Sequence, residues 1–262
     1  MTDFKGRVLA IGGSDSGGGA GVQADIKTVT ALGGYAMTAI TAVTVQDTVA
    51  VHAVHPIPPA LVAAQIETAL ADIGADAIKI GMLGEAAVAV ADALGRWPDV
   101  PLVVDPVLAS SSGASLLGEG GLEALRRLIA RAALVTPNAP EAEALTGRPV
   151  ASLDDQRAAA ETLLTQGARG VLVKGGHIAG ESVIDLLMTA DGETLFESPR
   201  LATRHTHGTG CTLASACAAG LAAGLPLTEA VARAWAYTGE AIRRAPGFGA
   251  GAGPLDHGWR LR

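Results

Sequence analysis

The chain has 262 residues, 49% hydrophobic and only 17% charged. That is enough apolar material for a sizeable core and excludes a disordered chain. Nineteen basic against 26 acidic residues give a formal charge of −7, which argues against a general nucleic-acid binder but leaves room for a small local anion site.

Short β-branched runs alternate with Ala-rich stretches of helical length. In chain order, a strand is predicted at Val8–Ile11, a helix at Gly21–Leu32 ending on Gly33-Gly34, and a strand at Tyr35–Val45. A helix at Pro58–Ala71 follows, then a strand at Ala77–Ile80, a helix at Glu85–Arg96 and a strand at Leu102–Val104. The pattern continues with a helix at Gly118–Ala130, a strand at Leu134-Val135, and helices at Glu141–Thr146 and Asp154–Gln166. After a strand at Val171–Val173, Ser182–Met188 and Glu193–Glu197 read as antiparallel partners. Helices at Thr209–Ala223 and Thr228–Arg244 close the series. This alternation implies an α/β fold, a largely parallel central sheet with helices on both faces. No linker divides the chain, so residues 1–262 read as a single domain. In such sheets ligands bind beyond the carboxyl ends of the strands, where Asp105, Asn138 and Lys174 fall.

The two cysteines, Cys211 and Cys217, lie six apart. Without a Cys-x-x-Cys, a disulfide scaffold, a zinc ribbon and a thioredoxin-type centre are unsupported. The apolar run Val8–Ile11 is too short for a signal-peptide core. The uncharged stretches Thr28–Gln46 and His205–Thr228 are broken by Gly, His and Pro, unlike a span of ~20 apolar residues. Gly220-x-x-x-Gly224 reads as a tight helix contact in a soluble core. A cytoplasmic protein is expected, with no nucleic-acid or membrane partner.

Four segments carry chemistry. Gly12-Gly13-Ser14-Asp15-Ser16-Gly17-Gly18-Gly19-Ala20-Gly21 joins a strand to a helix, and its glycines allow close backbone approach to a ligand; a flexible turn is the plain alternative. It is neither a Walker A loop nor a clean dinucleotide fingerprint. Thr206-His207-Gly208-Thr209-Gly210-Cys211-Thr212 enters a helix, where free amides and the helix dipole favour an anion. Cys211 in that first turn is expected to have a lowered pKa, while Cys217 reads as core. Asn138-Ala139-Pro140-Glu141 suits an oxygen-ligated Mg²⁺, although by itself it reads better as a helix start with an acidic first turn. Lys174-Gly175-Gly176-His177 suits either a nucleotide phosphate or a tight turn. Gln46, at a strand end, offers an amide able to read a heteroaromatic edge. The pairs His52/His55 and His205/His207 lack a third ligand at metal-binding spacing.

Taken together, these segments resemble the hydroxymethylpyrimidine/phosphomethylpyrimidine kinases of thiamine biosynthesis, in the ribokinase-like superfamily. The resemblance runs from Ala10–Thr28 through Thr41–Thr48, Lys79–Leu83, Val104–Val107, Thr136–Glu141 and Val173–His177 to Thr206–Thr212, nearly the whole chain. It implies a ribokinase-like fold. It also implies ATP-dependent phosphorylation of 4-amino-5-hydroxymethyl-2-methylpyrimidine and then of its monophosphate. By resemblance, Gly13, Asp25, Gln46, Met82 and Val107 line the pyrimidine pocket, with Gln46 bonding the aminopyrimidine edge. Gly208, Thr209, Gly210 and Cys211 form the anion hole, and Cys211 stands where related kinases carry an Asp base. Asn138 and Glu141 hold Mg²⁺ and the ATP phosphates with help from Asp105, and Lys174 and Thr209 contact those phosphates. A homodimer is a family expectation. The chain departs from the family pattern at Leu108, Ser111 and Ala114, which bears on a flap near Ser110–Gly113. A pyridoxal/pyridoxine kinase of the same superfamily is the nearest alternative. A non-catalytic precursor-binding module is disfavoured, because a binder has no use for Asn138, Glu141, Lys174 and Cys211 together.

Overall fold

Short, fully buried strands, such as Ala77-Ile78-Lys79-Ile80 and Leu102-Val103-Val104, build the centre of the molecule. The computed structural model describes residues 4–108 and 117–262; Ser110, Ser111, Gly113 and Ala114, where the flap is expected, lie outside them.

The strands are β1 (Arg7–Asp15), β2 (Tyr35–Gln46), β3 (Val51–Pro56), β4 (Ala77–Ile80), β5 (Leu102–Val104), β6 (Leu134–Val135), β7 (Gly170–Val173), β8 (Ser182–Thr189) and β9 (Gly192–Pro199). Among the described residues they form one sheet in the order β3-β2-β1-β4-β5-β6-β7-β8-β9. β2, β1, β4, β5, β6 and β7 run parallel, β3 adds antiparallel at one edge, and β8 and β9 extend the other edge as an antiparallel hairpin. The helices are α1 (Gly21–Ala31), α2 (Pro59–Asp72), α3 (Ala87–Leu94), α4 (Gly121–Ile129), α5 (Ala139–Thr146), α6 (Leu153–Thr165), α7 (Thr209–Ala222) and α8 (Leu227–Arg243).

Strand side chains alternate between two cores, as the two-residue period requires. Leu9, Ile78, Leu102 and Val104 pack with residues of α2 to α6. Val8, Ala77, Val103 and Leu172 pack with residues of α1, α7 and α8. Both faces are therefore covered, as a parallel sheet demands. No helix among the described residues is long and apolar enough to cross a membrane.

The structure differs from the sequence reading at several boundaries. β1 continues past Ile11 to Asp15, so Gly12 and Gly13 lie in the strand, where its register with β2 shifts. β3 was not foreseen, because its residues are almost all exposed and show no buried face. The helix expected at Glu85–Arg96 opens with a 3-10 turn at Gly84–Ala86 before α3, and α4 starts only after Gly120, whose φ is 68°.

Gly220 is a real close contact: a Cβ there would lie 2.7 Å from the Ala230 Cβ on α8. Gly224 instead has φ +79° just beyond the end of α7, with open space at its Cβ position. Gly220→Leu is expected to force α7 and α8 apart and destabilise the protein by about 1–3 kcal/mol. Urea unfolding measures this, and an unchanged midpoint would show that the helix pair has slack.

Candidate active site

The parallel strands end on one rim. There stand Asp15 at the end of β1, Gly81 and Met82 after β4, Asp105 after β5, Thr136 after β6 and Lys174 after β7. The N-terminus of α7 points at the same rim, with Gly210 beside Asp105 and Lys174.

A cavity of about 230 Å³ opens there, lined by Gly13, Gln46, Met82, Val107 and Cys211 together with Ser14, Asp15, Thr44, Lys79 and His207. Gly13 leaves space that the Met82 methyl occupies. Asp25 does not line this cavity, contrary to the sequence reading. Its fully buried carboxylate meets Lys79 Nζ at 2.9 Å and accepts from Ser215 Oγ at 2.6 Å. The period of β4 explains this: Ile78 and Ile80 face the α2–α6 core, so Lys79 points at α1 and α7, which carry Asp25 and Ser215. Burial works against the Lys79 charge, but Asp25, Cys211 and Asp105 outweigh it and hold the ammonium above its ordinary value. The signal for Lys79 was present in the sequence, since a lysine inside a four-residue apolar strand needs a buried partner.

The glycine loop after β1 is organised by Asp15. Its Oδ1 accepts from the Gly17 amide at 2.8 Å, and its Oδ2 accepts from the amides of Gly19 at 3.0 Å and Ala20 at 2.8 Å. His207 Nε2 lies 2.9 Å from the same Oδ2. Burial opposes the charge, but His207 and these amides outweigh it and hold the Asp15 carboxyl at about 2. The loop is thus an ordered cradle rather than a flexible turn. Gly19 makes room for the imidazole, as a Cβ there would come within 2.6 Å of His207 Cδ2.

Gly208 caps α7 with φ 86°, a conformation suited to glycine, and a Cβ there would overlap the Gly19 carbonyl. Thr209 is committed locally. Its hydroxyl donates to the Thr206 carbonyl at 2.7 Å and its amide to the same oxygen at 3.2 Å. The amides of Gly210 and Cys211 have no acceptor among the described residues, so they are the donors an anion would meet. A Cβ on Gly210 would sit 3.3 Å from both Asp105 Oδ2 and Lys174 Nζ, filling the space between helix and rim. The expected depression of the Cys211 pKa is overturned. Burial pushes the thiol up, Lys79 offsets this only in part, and Asp25 and Asp105 push it further. Burial is the largest cause, and the two carboxylates add to it.

On the other side of the rim, Lys174 Nζ donates to Asp105 Oδ1 at 2.9 Å and lies 3.9 Å from Glu141 Oε2. Thr136 Oγ1 also donates to Asp105 Oδ1, at 2.9 Å. The turn after Lys174 is fixed by Asp185, which accepts from the Gly175 amide at 2.8 Å and from Trp235 Nε1 at 3.1 Å. Asn138 and Glu141 form a capping box on α5: Asn138 Oδ1 accepts from the Glu141 amide at 2.9 Å and Glu141 Oε2 from the Asn138 amide at 2.8 Å. Their first task is therefore the helix start, which the sequence alone favoured. Burial raises the Glu141 carboxyl to about 7, with Lys174 pulling it down and Asp105 pushing it up. Among the described residues no group of three or more His, Cys, Asp or Glu could hold a metal ion.

Residues 15–256 match the family model described as phosphomethylpyrimidine kinase. The hydroxymethylpyrimidine/phosphomethylpyrimidine kinase of Streptomyces coelicolor is 48% identical over 97% of this chain and 95% of its own. The thiamine biosynthesis bifunctional protein ThiED of Geobacter sulfurreducens is also 48% identical over 97% of this chain, which spans only 52% of that longer protein. Among solved structures, an ADP complex of Bacillus subtilis pyridoxal kinase has a TM-score of 0.89 at 34% identity, covering 98% of this chain and 99% of that one. The phosphomethylpyrimidine kinase of Clostridium difficile 630 has a TM-score of 0.79 at 40% identity, covering 90% and 99%.

Removing one member of the buried Lys79–Asp25 pair leaves an uncompensated charge. Lys79→Met is expected to destabilise by about 3–5 kcal/mol, and Lys79→Met with Asp25→Leu to recover most of it. Urea unfolding of both variants tests this; a double variant no more stable than the single one would show that the pair itself, not the stranded carboxylate, carries the stability.

Proposed function

Because the chain belongs to the phosphomethylpyrimidine kinase family, we propose that it moves the γ-phosphoryl of ATP onto 4-amino-5-hydroxymethyl-2-methylpyrimidine and then onto the monophosphate so formed. The whole chain acts as one kinase domain in this reading, cytoplasmic and homodimeric. The observation that carries it is the meeting of two half-sites: a cavity holding Gln46, Met82 and Val107 opens beside Cys211 and the unpaired first-turn amides of α7.

Each residue has a part. Gln46 reads the aminopyrimidine edge, while Gly13, Met82 and Val107 enclose the ring. The Gly210 and Cys211 amides, with Gly208 setting their direction, receive the transferred phosphoryl. Lys174 neutralises nucleotide phosphate and is already charged and held by Asp105. Thr209, its hydroxyl turned to Thr206, serves through the backbone it fixes. Lys79 adds positive charge from below the cavity floor. Phosphoryl transfer asks chiefly for such positioning and charge neutralisation.

Mg²⁺ fits the outer rim. Asp105 Oδ2 and Glu141 Oε1 are outside every hydrogen bond among the described residues, and Gly210 leaves the space beside Asp105 open. Two hard oxygens suit a cation held mainly by phosphates and water rather than by an all-protein cage. When bound, such an ion would supply positive charge to neutralise phosphate oxygens. Asn138 keeps Glu141 in place through the capping box.

Cys211 lies beside the cavity and takes the hydroxymethyl proton as its thiolate. The second acceptor is already an anion and needs no base. The raised thiol makes the thiolate scarce at neutral pH, so the first step should speed up as the thiol ionises.

A coupled ADP-release assay with Mg-ATP tests the reading, offering the hydroxymethylpyrimidine, its monophosphate and pyridoxal in parallel. Both pyrimidines are expected to turn over, with pyridoxal slow. Turnover of pyridoxal alone would shift the assignment to the ring that the structural neighbour's name carries. Cys211→Ala is expected to slow the first step by about 10²-fold or more and the second far less. In the parent enzyme the first-step rate should rise with pH and still be climbing at about pH 9, as a thiol held above its ordinary value requires, and the variant should lose that climb. Equal losses in both steps would leave Cys211 without the role of base.

A further inference from the structure

Gln46 has two neighbours whose hydrogens are already assigned. The first is His207. Its Nε2 lies 2.9 Å from Asp15 Oδ2 and 3.2 Å from Gln46 Nε2. Asp15 is a nearly buried carboxylate ringed by the amides of Gly17, Gly19 and Ala20. It has no hydrogen to give, so His207 Nε2 must carry one. The second neighbour is Thr44. Its single hydroxyl hydrogen goes to the Ser14 carbonyl at 2.9 Å, and its Oγ1 lies 3.4 Å from Gln46 Oε1. What remains there is a lone pair, which calls for a donor.

An amide's oxygen and nitrogen are nearly identical in shape, so the hydrogen-bond inventory decides which faces which neighbour. Nε2 toward His207 sets donor against donor on one side and acceptor against acceptor on the other. The reversed amide removes both conflicts: Oε1 faces the Nε2–H and shares its hydrogen with Asp15 as the more distant acceptor, and the NH2 donates to the Thr44 lone pair. We propose that Asp15, through His207, is the positioning device that holds Gln46 with Oε1 toward His207 and its NH2 toward Thr44, and so fixes which way round the substrate ring lies. The part concerning the ring rests on the aminopyrimidine reading above.

The chemical consequence is specific. With His207 and Thr44 each bonded, the free edge of Gln46 keeps one lone pair on the His207 side and one N–H on the Thr44 side. That edge pairs with an aminopyrimidine in a single orientation: the exocyclic amine donates to Oε1 and the adjacent ring nitrogen accepts from the NH2. In the substrate the carbon bearing the amine lies between this ring nitrogen and the carbon bearing the hydroxymethyl group. An amine on the His207 side therefore carries the hydroxymethyl on toward the segment His207–Cys211, where the phosphoryl is received. The opposite amide would send it toward Thr44. His207 thus acts on the reaction through Gln46, without touching the transferred group.

The test has two arms. In the unliganded protein, ¹⁵N-labelled His and Gln side chains are observed by NMR. A protonated His207 Nε2 and NOEs from the Gln46 NH2 to the Thr44 methyl are expected; a bare Nε2, or NOEs from that NH2 to the His207 ring protons, overturns the arrangement. In the second arm His207→Ala is assayed with the parent pyrimidine and with the analogue bearing hydrogen in place of the 4-amino group. The KM for the parent is expected to rise about tenfold, the size of one hydrogen bond, with the KM for ATP unchanged. The analogue should lose much less, so that the preference between the two collapses. Equal losses on both, or none on either, would make His207 a structural residue only. If the unmodified enzyme turned over neither pyrimidine, the substrate reading would fail, and the NMR arm would still decide the orientation of Gln46.

Discussion

A charged lysine and a carboxylate sealed against each other in the middle of the sheet hold the rest in place. The Lys79–Asp25 contact, completed by Ser215, ties β4 to α1 and α7 at once. Buried ion pairs rarely add much net stability, because desolvation offsets most of the attraction. What this one supplies is position. α1 begins at the end of the glycine cradle and α7 begins at the free amides, so the two helix starts that border the cavity share one anchor. An apolar pair of equal volume would fill the same space without fixing direction.

From that anchor the site divides into two parts with different physics. Around the ends of β1 and β2, directional hydrogen bonding dominates: an ionised Asp15 organises amides and an imidazole, and Gln46 stands at the far end of that chain. Around the ends of β5 to β7, charge dominates: Asp105, Lys174 and Glu141 crowd together, and the groups shift one another's protonation. The first part suits recognition of a planar ring, the second the handling of phosphates. α7 borders both.

The sequence made the alternating architecture readable because doubly buried parallel strands leave short, uninterrupted β-branched runs, as at Leu102–Val104 and Val171–Val173. β3 left no such trace, being an edge strand with nothing to bury. The rim was readable through strand-end residues such as Asp105 and Lys174. Side-chain partnerships were not. The family resemblance implies a pocket role for Asp25, yet the face of α1 that carries it turns to Lys79. Cys211 looked acidic by its place on a helix, yet its surroundings in three dimensions include two carboxylates drawn from distant segments. Asn138 and Glu141 showed their capping spacing plainly, since that interaction is local.

The contact between Asp15 and His207 joins residues 192 positions apart, and Cys211 and Ser215 come from the same late segment. During synthesis the first four strands can emerge with Lys79 and Asp25 already near each other, but the helix that seals them arrives only with the last quarter of the chain. Until then a charged pair faces solvent where the finished protein has a dry interior, and the glycine cradle lacks the imidazole that completes it. Completion of the pocket and closure of the core both wait on the segment His207–Ser215, so a chain that stops short of it has neither contact.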